Sequence, residues 1–231
     1  MTVQQLLLDI RPEALDTLDN FVVGDNAELL ARLSALADPA SADQVYLWGP
    51  PGSGRSHLLR GVQTLAQLRA RPVHFSEGAG VGAELAAAAG TLVIVDDIDD
   101  LDESAQITLF RTFNSARQRG LALLMSGSTP PLGLKSALRE DLRTRIGSTL
   151  IYEVRPLSDA DKAAALRSHS LDRGMHIDAA LIDYLLHHGR RDLPSLLAVL
   201  DALDQISLEQ QRPLTLPLLR EILQTSLELN A

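Results

Sequence analysis

The sequence has no cysteine, which excludes disulfides, thiolate metal sites and a cysteine nucleophile. Aromatic residues make up only 3%, so platforms for stacking single-stranded bases are scarce. There is no excess of basic residues either. The formal net charge is −9, and such a chain has no global attraction for a phosphate backbone. Direct sequence-specific DNA binding is therefore not expected. No stretch reaches the ~18 uninterrupted apolar residues of a membrane span. The opening MTVQQLLLDIRPE lacks the basic region and cleavage pattern of a secretory signal. These absences together lead us to expect a cytoplasmic protein with no membrane partner.

What is present is 231 residues, 45% of them apolar, which allows one ordinary domain and a smaller second one. Residues 1–12 read as a short extended arm ending at Arg11-Pro12, and Leu15 to Val23 as a lead-in. Leu29, Leu30, Leu33 and Leu36 recur at helical spacing in residues 24–37, with Asp25 or Asn26 as N-cap. Strands are expected at Val45–Trp48, Pro72–Ser76, Thr91–Val95, Leu121–Met125 and Leu150–Val154. Helices are expected between them, at His57–Leu68, within the alanine-rich Gly78–Gly90, and at Ser104–Arg119 before Gly120. Strands alternating with helices imply a parallel sheet covered on both faces. After Pro156 only helices are expected: Ser158–Gly174, Asp178–His188, Leu193–Gln210 and Pro217–Leu227. The expected division is thus an arm (1–12), an α/β base (13–156) and a small all-α lid (157–231).

The most specific motif is GPPGSGRS, Gly49 to Ser56, between an apolar strand and a helix. It fits the phosphate-binding loop except that Arg55 replaces the usual lysine. Gly52 and Gly54 let successive N–H groups turn inward, the helix adds its positive end, and Ser56 can offer a hydroxyl to Mg²⁺. Arg55 can fork onto phosphate oxygens, but it is bulkier and less movable than lysine. Nucleotide binding is expected to survive and intrinsic hydrolysis to be poor. LVIVDD, Leu92 to Asp97, is a buried strand ending in two carboxylates, so Asp96 would hold Mg²⁺ through water. Asp97 stands where active ATPases usually have glutamate and is one methylene shorter. Asp99, Asp100, Asp102 and Glu103 read as a solvated helix N-terminus favoured by the dipole.

These strings support a family resemblance. WGPPGSGRSHLL, VDDID, MSGSTPP and RPLSDADK occur in the order found in DnaA and in its shorter relatives of the Hda family. The likeness runs from about Gln5 to Leu227, and arginine in GRSHLL resembles Hda more than DnaA. FVVGDNAELL resembles the segment lining the adenine site of both. No helix-turn-helix follows the lid, as in Hda. The resemblance implies a P-loop AAA+ base with a helical lid holding ADP or ATP and Mg²⁺. The implied nucleotide contacts are Phe21, Val22, Val23, Asn26, Pro51, Gly52, Ser53, Gly54, Arg55, Ser56, His57, Asp96, Asp97 and Arg191, with Ser56 and Asp96 toward the metal.

It further implies a regulator of replication initiation. Such a protein docks on the DNA polymerase III sliding clamp (beta subunit). It stimulates hydrolysis of DnaA-bound ATP through an arginine finger and prevents re-initiation. The matching residue in EDLRTRIG is Arg145; Arg139 and Arg143 read as pairing with Glu140 and Asp141. Gln5-Leu6-Leu7-Leu8-Asp9-Ile10 resembles the bacterial clamp-binding pattern. In an extended arm Leu6, Leu8 and Ile10 would share a face with Gln5 as polar hook, although the segment could instead pack on its own domain. Ser128 falls at a sensor position, and the lid arginine that touches phosphate aligns with Pro194, leaving Arg191 as substitute. A homodimer is among the expected partners, since AAA+ surfaces pair head to tail. Two other readings stand beside this one: an autonomous AAA+ ATPase of loader type, and a DnaA-like accessory initiator.

Overall fold

The structure is a computed structural model that describes residues 16–77, 88–190, 192–210 and 212–221. Five parallel strands form one sheet in the order β2-β3-β4-β1-β5. They are β1 (Gln44–Trp48), β2 (Val73–Glu77), β3 (Leu92–Asp96), β4 (Ala122–Gly127) and β5 (Leu150–Glu153). The register runs Val45↔Leu124 and Val45↔Leu150 about β1, and Leu92↔Ala122 between β3 and β4. Central β3 and β4 are buried along their whole length, as expected of strands covered on both faces, whereas β5 is a largely exposed edge.

Side-chain alternation along the strands divides the core in two. Val45, Leu47, Leu92, Ile94, Ala122 and Leu124 face α1 (Ala27–Leu36) and α2 (Arg55–Leu68). Tyr46, Val93, Val95, Leu123 and Met125 face α3 (Glu103–Arg119) and α4 (Glu140–Gly147). The three leucines Leu29, Leu33 and Leu36 fall on the buried side of α1, which is why this stretch folds as a helix against the sheet.

The helices beyond β5 have a core of their own. α5 (Asp159–Asp172), α6 (Ala179–His188), α7 (Leu193–Gln210) and a helical segment at 216–221 bury Leu166, Leu181, Leu185, Leu196, Leu200 and Leu219 together. The junction is sharp because Ser158 and Asp161 form a reciprocal cap, with Asp161 N–H donating to Ser158 Oγ at 3.1 Å.

Several boundaries differ from those expected. α1 begins at Ala27 with Asn26 at the expected N-cap position, and α2 begins at Arg55 and not His57, so the arginine lies in its first turn. β3 runs to Asp96 and β4 to Gly127, so Ser126 and Gly127 belong to a strand and not to the expected turn. α4 and a 3-10 segment at Pro131–Ser136 are elements that the sequence pattern does not announce. The arm with Gln5, Leu6, Leu8 and Ile10, most of the alanine-rich stretch, and Arg191 lie outside the described residues.

Candidate functional site

The site forms where β1 and β3 end. β1 runs directly into the loop, which turns through Gly52 (φ 77°) and Gly54 (φ 96°) and then starts α2. Both glycines are required twice over. Their left-handed backbone disfavours any β-carbon, and both are tightly covered. A methyl at Gly54 would lie 2.7 Å from the Phe21 ring, and one at Gly52 would lie 3.0 Å from Asp192 Cβ of the lid. The lid therefore touches the loop at Asp192, immediately before α7.

Two buried donors in this cradle have no hydrogen-bond partner among the described residues: the Ser53 hydroxyl and Arg55 Nη1. An unpaired guanidinium N–H is costly to bury, and phosphate oxygens would satisfy it. The Arg55 side chain is only 12% exposed, and its other amino group, Nη2, lies 3.2 Å from Asp97 Oδ1. Arg55 is thus clamped by one prong and, among the described residues, buried without a partner at the other. The donor set, the inward loop and the nearby carboxylates fit a nucleotide phosphate chain and its cation.

Asp96 is buried at 3% exposure and accepts a hydrogen bond from Ser126 Oγ of the neighbouring strand. Asp97 has a left-handed backbone (φ 48°), and its N–H donates to Asp96 Oδ1 at 3.1 Å and Ser126 Oγ at 3.0 Å. Burial first, then the charge of Asp96, raises the Asp97 carboxyl above the ordinary range; Arg55 opposes this without reversing it. Ser126 could have been foreseen, because the register sets Val95 beside Met125 and so brings Asp96 beside Ser126.

Asp99 departs from its expected solvated role. It accepts from the Ser128 N–H at 2.7 Å and from Ser128 Oγ at 3.0 Å, so the sensor-position serine is engaged by an acid. Asp102 does behave as a helix cap, accepting from Ala105 N–H at 2.7 Å. Tyr46 donates to Thr129 O at 2.7 Å beside this group, and burial raises its phenol well above the usual range.

The residues expected on the adenine side are ordered by hydrogen bonds to backbone. Asn26 occupies the N-cap position of α1 but does not cap it. Its amide donates to Val23 O at 3.2 Å and Arg155 O at 3.0 Å and accepts from Arg155 N–H at 2.9 Å. It clips the Val22-Val23 segment to the exit of β5. His57 contacts Thr17 O at 2.9 Å and Asp16 at 3.0 Å and lies against Phe21, ring centroids 5.5 Å apart. Asn26 and His57 therefore build the wall of the site with their polar groups turned into the fold. Pro51 is exposed on the loop, and Ser56 is half-buried in the first turn of α2.

Arg145 lies far along the chain from this cradle, in the helix that leads into β5. α4 begins beside the first turn of α3, where Gln106 accepts from Arg139 N–H at 2.9 Å and donates to Ala137 O at 3.0 Å. It ends just before β5, whose first residue Leu150 pairs with Val45 at the amino end of β1. The phosphate loop leaves β1 at the carboxyl end. Arg145, in the last turn of α4, is exposed, and no carboxylate pairs with it among the described residues. Leu142 and Ile146 turn inward and hold the helix. Arg139 pairs with Asp141 at 3.1 Å and with Glu103 at 3.7 Å, so its second acid is Glu103 and not Glu140.

In the lid, Arg190 is 83% exposed and lies 3.7 Å from Asp192, while Pro194 sits in the first turn of α7. Among the described residues the lid therefore presents a carboxylate, not a cation, to the loop.

Fold and site together define the class: a P-loop AAA+ base carrying a helical lid. Solved structures bear out the fold. Domain III of the replication initiation protein DnaA from Thermotoga maritima matches with TM-score 0.75 at 16% identity, over 92% of this chain and 98% of that one. AMPPCP-bound DnaA from Aquifex aeolicus matches with TM-score 0.69 at 20% identity, over 82% and 65%. A point variant of RuvB from Thermotoga maritima matches with TM-score 0.71 at 16% identity, over 91% and 72%. Within this class, residues 159–223 match the family model described as "Hda, lid domain". The resemblance to the Hda family read from the sequence is borne out by this match.

Proposed function

We propose that this chain is a nucleotide-holding regulator of replication initiation, which docks on the sliding clamp and promotes hydrolysis of ATP held by DnaA. The observation that carries the reading is the Hda-type lid on a DnaA-like base. Adenine nucleotide, ADP or ATP, would sit with its phosphates on the loop from Gly52 to Ser56 and its base beside Phe21, Val22 and Val23. Arg55 Nη1 and Ser53 Oγ supply waiting donors. Mg²⁺ would be held by Ser56 directly and by Asp96 through water, and would neutralise phosphate charge.

Arg145 is the candidate arginine finger. Its exposure, and its place in the helix that leads into β5, suit delivery of a guanidinium to an adjoining subunit. A guanidinium so placed would neutralise charge on the transferring phosphoryl group. Gln5, Leu6, Leu8 and Ile10 would provide the clamp contact.

The reading is tested with radiolabelled ATP preloaded on DnaA. Hydrolysis should accelerate when this chain and clamp loaded on DNA are both present, and neither alone should suffice. Gln5→Ala with Leu8→Ala should abolish the clamp-dependent part. Rapid ATP turnover by the isolated chain would favour the loader-type ATPase instead. Salt-sensitive duplex binding without clamp would favour the accessory initiator.

A further inference from the structure

In a P-loop ATPase, the carboxylate after the strand-end aspartate orients the attacking water. Here that carboxylate is already engaged. Asp97 Oδ1 lies 3.2 Å from Arg55 Nη2, and the Asp97 N–H is fixed by Asp96 and Ser126. Arg55 is held in turn: it is nearly buried in the first turn of α2, with Nη1 buried and unpaired among the described residues.

We infer that the Arg55–Asp97 ion pair is a built-in block on hydrolysis, in which one prong of the guanidinium occupies Asp97 while the other remains for the terminal phosphate. The inference rests on the nucleotide-binding reading above. It differs from the view that Asp97 is simply one methylene too short, because it places the block in the partner. A planar fork can serve two acceptors at once. Lysine at position 55 would carry a single, shorter ammonium to the phosphate and release Asp97. Released, the carboxylate would orient a water and take its proton. The water oxygen would bond to the terminal phosphorus as the bond to the departing ADP oxygen breaks.

Two measurements test this. The first needs no ligand: ¹⁵N NMR of the Arg55 guanidinium in nucleotide-free protein. Exchange of its N–H protons should be slow in the wild type and about tenfold faster in Asp97→Ala. The second compares wild type, Arg55→Lys, Asp97→Glu and the double variant in single-turnover ATP hydrolysis. Binding of a fluorescent ADP analogue is confirmed first. Wild type and Asp97→Glu should stay at background, because arginine still reaches either carboxylate. Arg55→Lys should rise by on the order of 10²-fold, and the double variant further. The inference is overturned if Arg55→Lys binds nucleotide yet stays at background. It is equally overturned if Asp97→Glu alone matches the double variant, or if Asp97→Ala leaves guanidinium exchange unchanged. Absence of nucleotide binding in all four proteins would sink the nucleotide reading, while the exchange measurement still decides the ion pair.

Discussion

Arg71 shows how much of a fold can hang on one side chain that no motif marks. It is buried at 2% exposure, and its guanidinium donates to four backbone carbonyls: Gly90 at 3.1 Å, Leu36 at 2.7 Å, Asp38 at 2.6 Å and Ser41 at 2.7 Å. It ties the end of α1 and the following loop to the start of β3. Arg71→Leu strands those carbonyls, so urea unfolding should show a loss of about 3 kcal/mol or more. Lysine should recover only part, since one ammonium cannot reach four acceptors. Gly54→Ala acts at the site itself. Positive φ and the Phe21 ring both oppose the methyl, and stability should fall by about 1–3 kcal/mol with nucleotide binding lost as the loop shifts. The glycines, Arg55 and Asp96 were legible in the sequence, because a phosphate loop constrains residue type at fixed spacing. The Asp99–Ser128 bond and the Arg71 hub were not, because they join residues 19 to 35 positions apart whose meeting depends on the folded sheet.

At the scale of elements, strands and long helices were legible from apolar runs and helical periodicity, while their ends were displaced by a few residues. The displacements have local causes. Glycine and serine suggest a turn at SGS, yet Ser126 is held in β4 by pairing with Leu47 of β1 and by its hydroxyl bond to Asp96 of β3. α4 is hidden in the sequence because only Leu142 and Ile146 face inward, too few to make a period. α7 offers a pH prediction. Burial pushes the Asp192 carboxyl up, but hydrogen bonds from Ser195 and its own backbone, with Arg190 nearby, outweigh this and leave it below the ordinary range. A depressed acid stabilises above its unfolded value, and that contribution is lost as pH falls through the folded one. Acidification through the carboxylate range should therefore loosen the start of α7, seen as a lower protection factor for the Ser195 amide, the exchange rate being taken relative to its intrinsic value at each pH. Asp192→Ala should remove this pH dependence and cost about 1 kcal/mol as a lost cap.

Over the whole molecule, the chain combines an acidic net charge, a base with two cores either side of one sheet, and a lid with its own core meeting the loop at Asp192. None of the described helices is long and apolar enough to cross a membrane. In the proposed function the architecture separates two tasks: the cradle at the carboxyl end of β1 would hold a nucleotide, and Arg145, with no carboxylate partner among the described residues, lies in the helix leading to the amino end of β5. The decisive measurement is the rate of hydrolysis of DnaA-bound ATP, with clamp on DNA, driven by wild type and by Arg145→Ala of equal nucleotide content. The account predicts acceleration by the wild type and a loss on the order of 10³-fold in the variant, with clamp binding intact. Full acceleration by Arg145→Ala would contradict it.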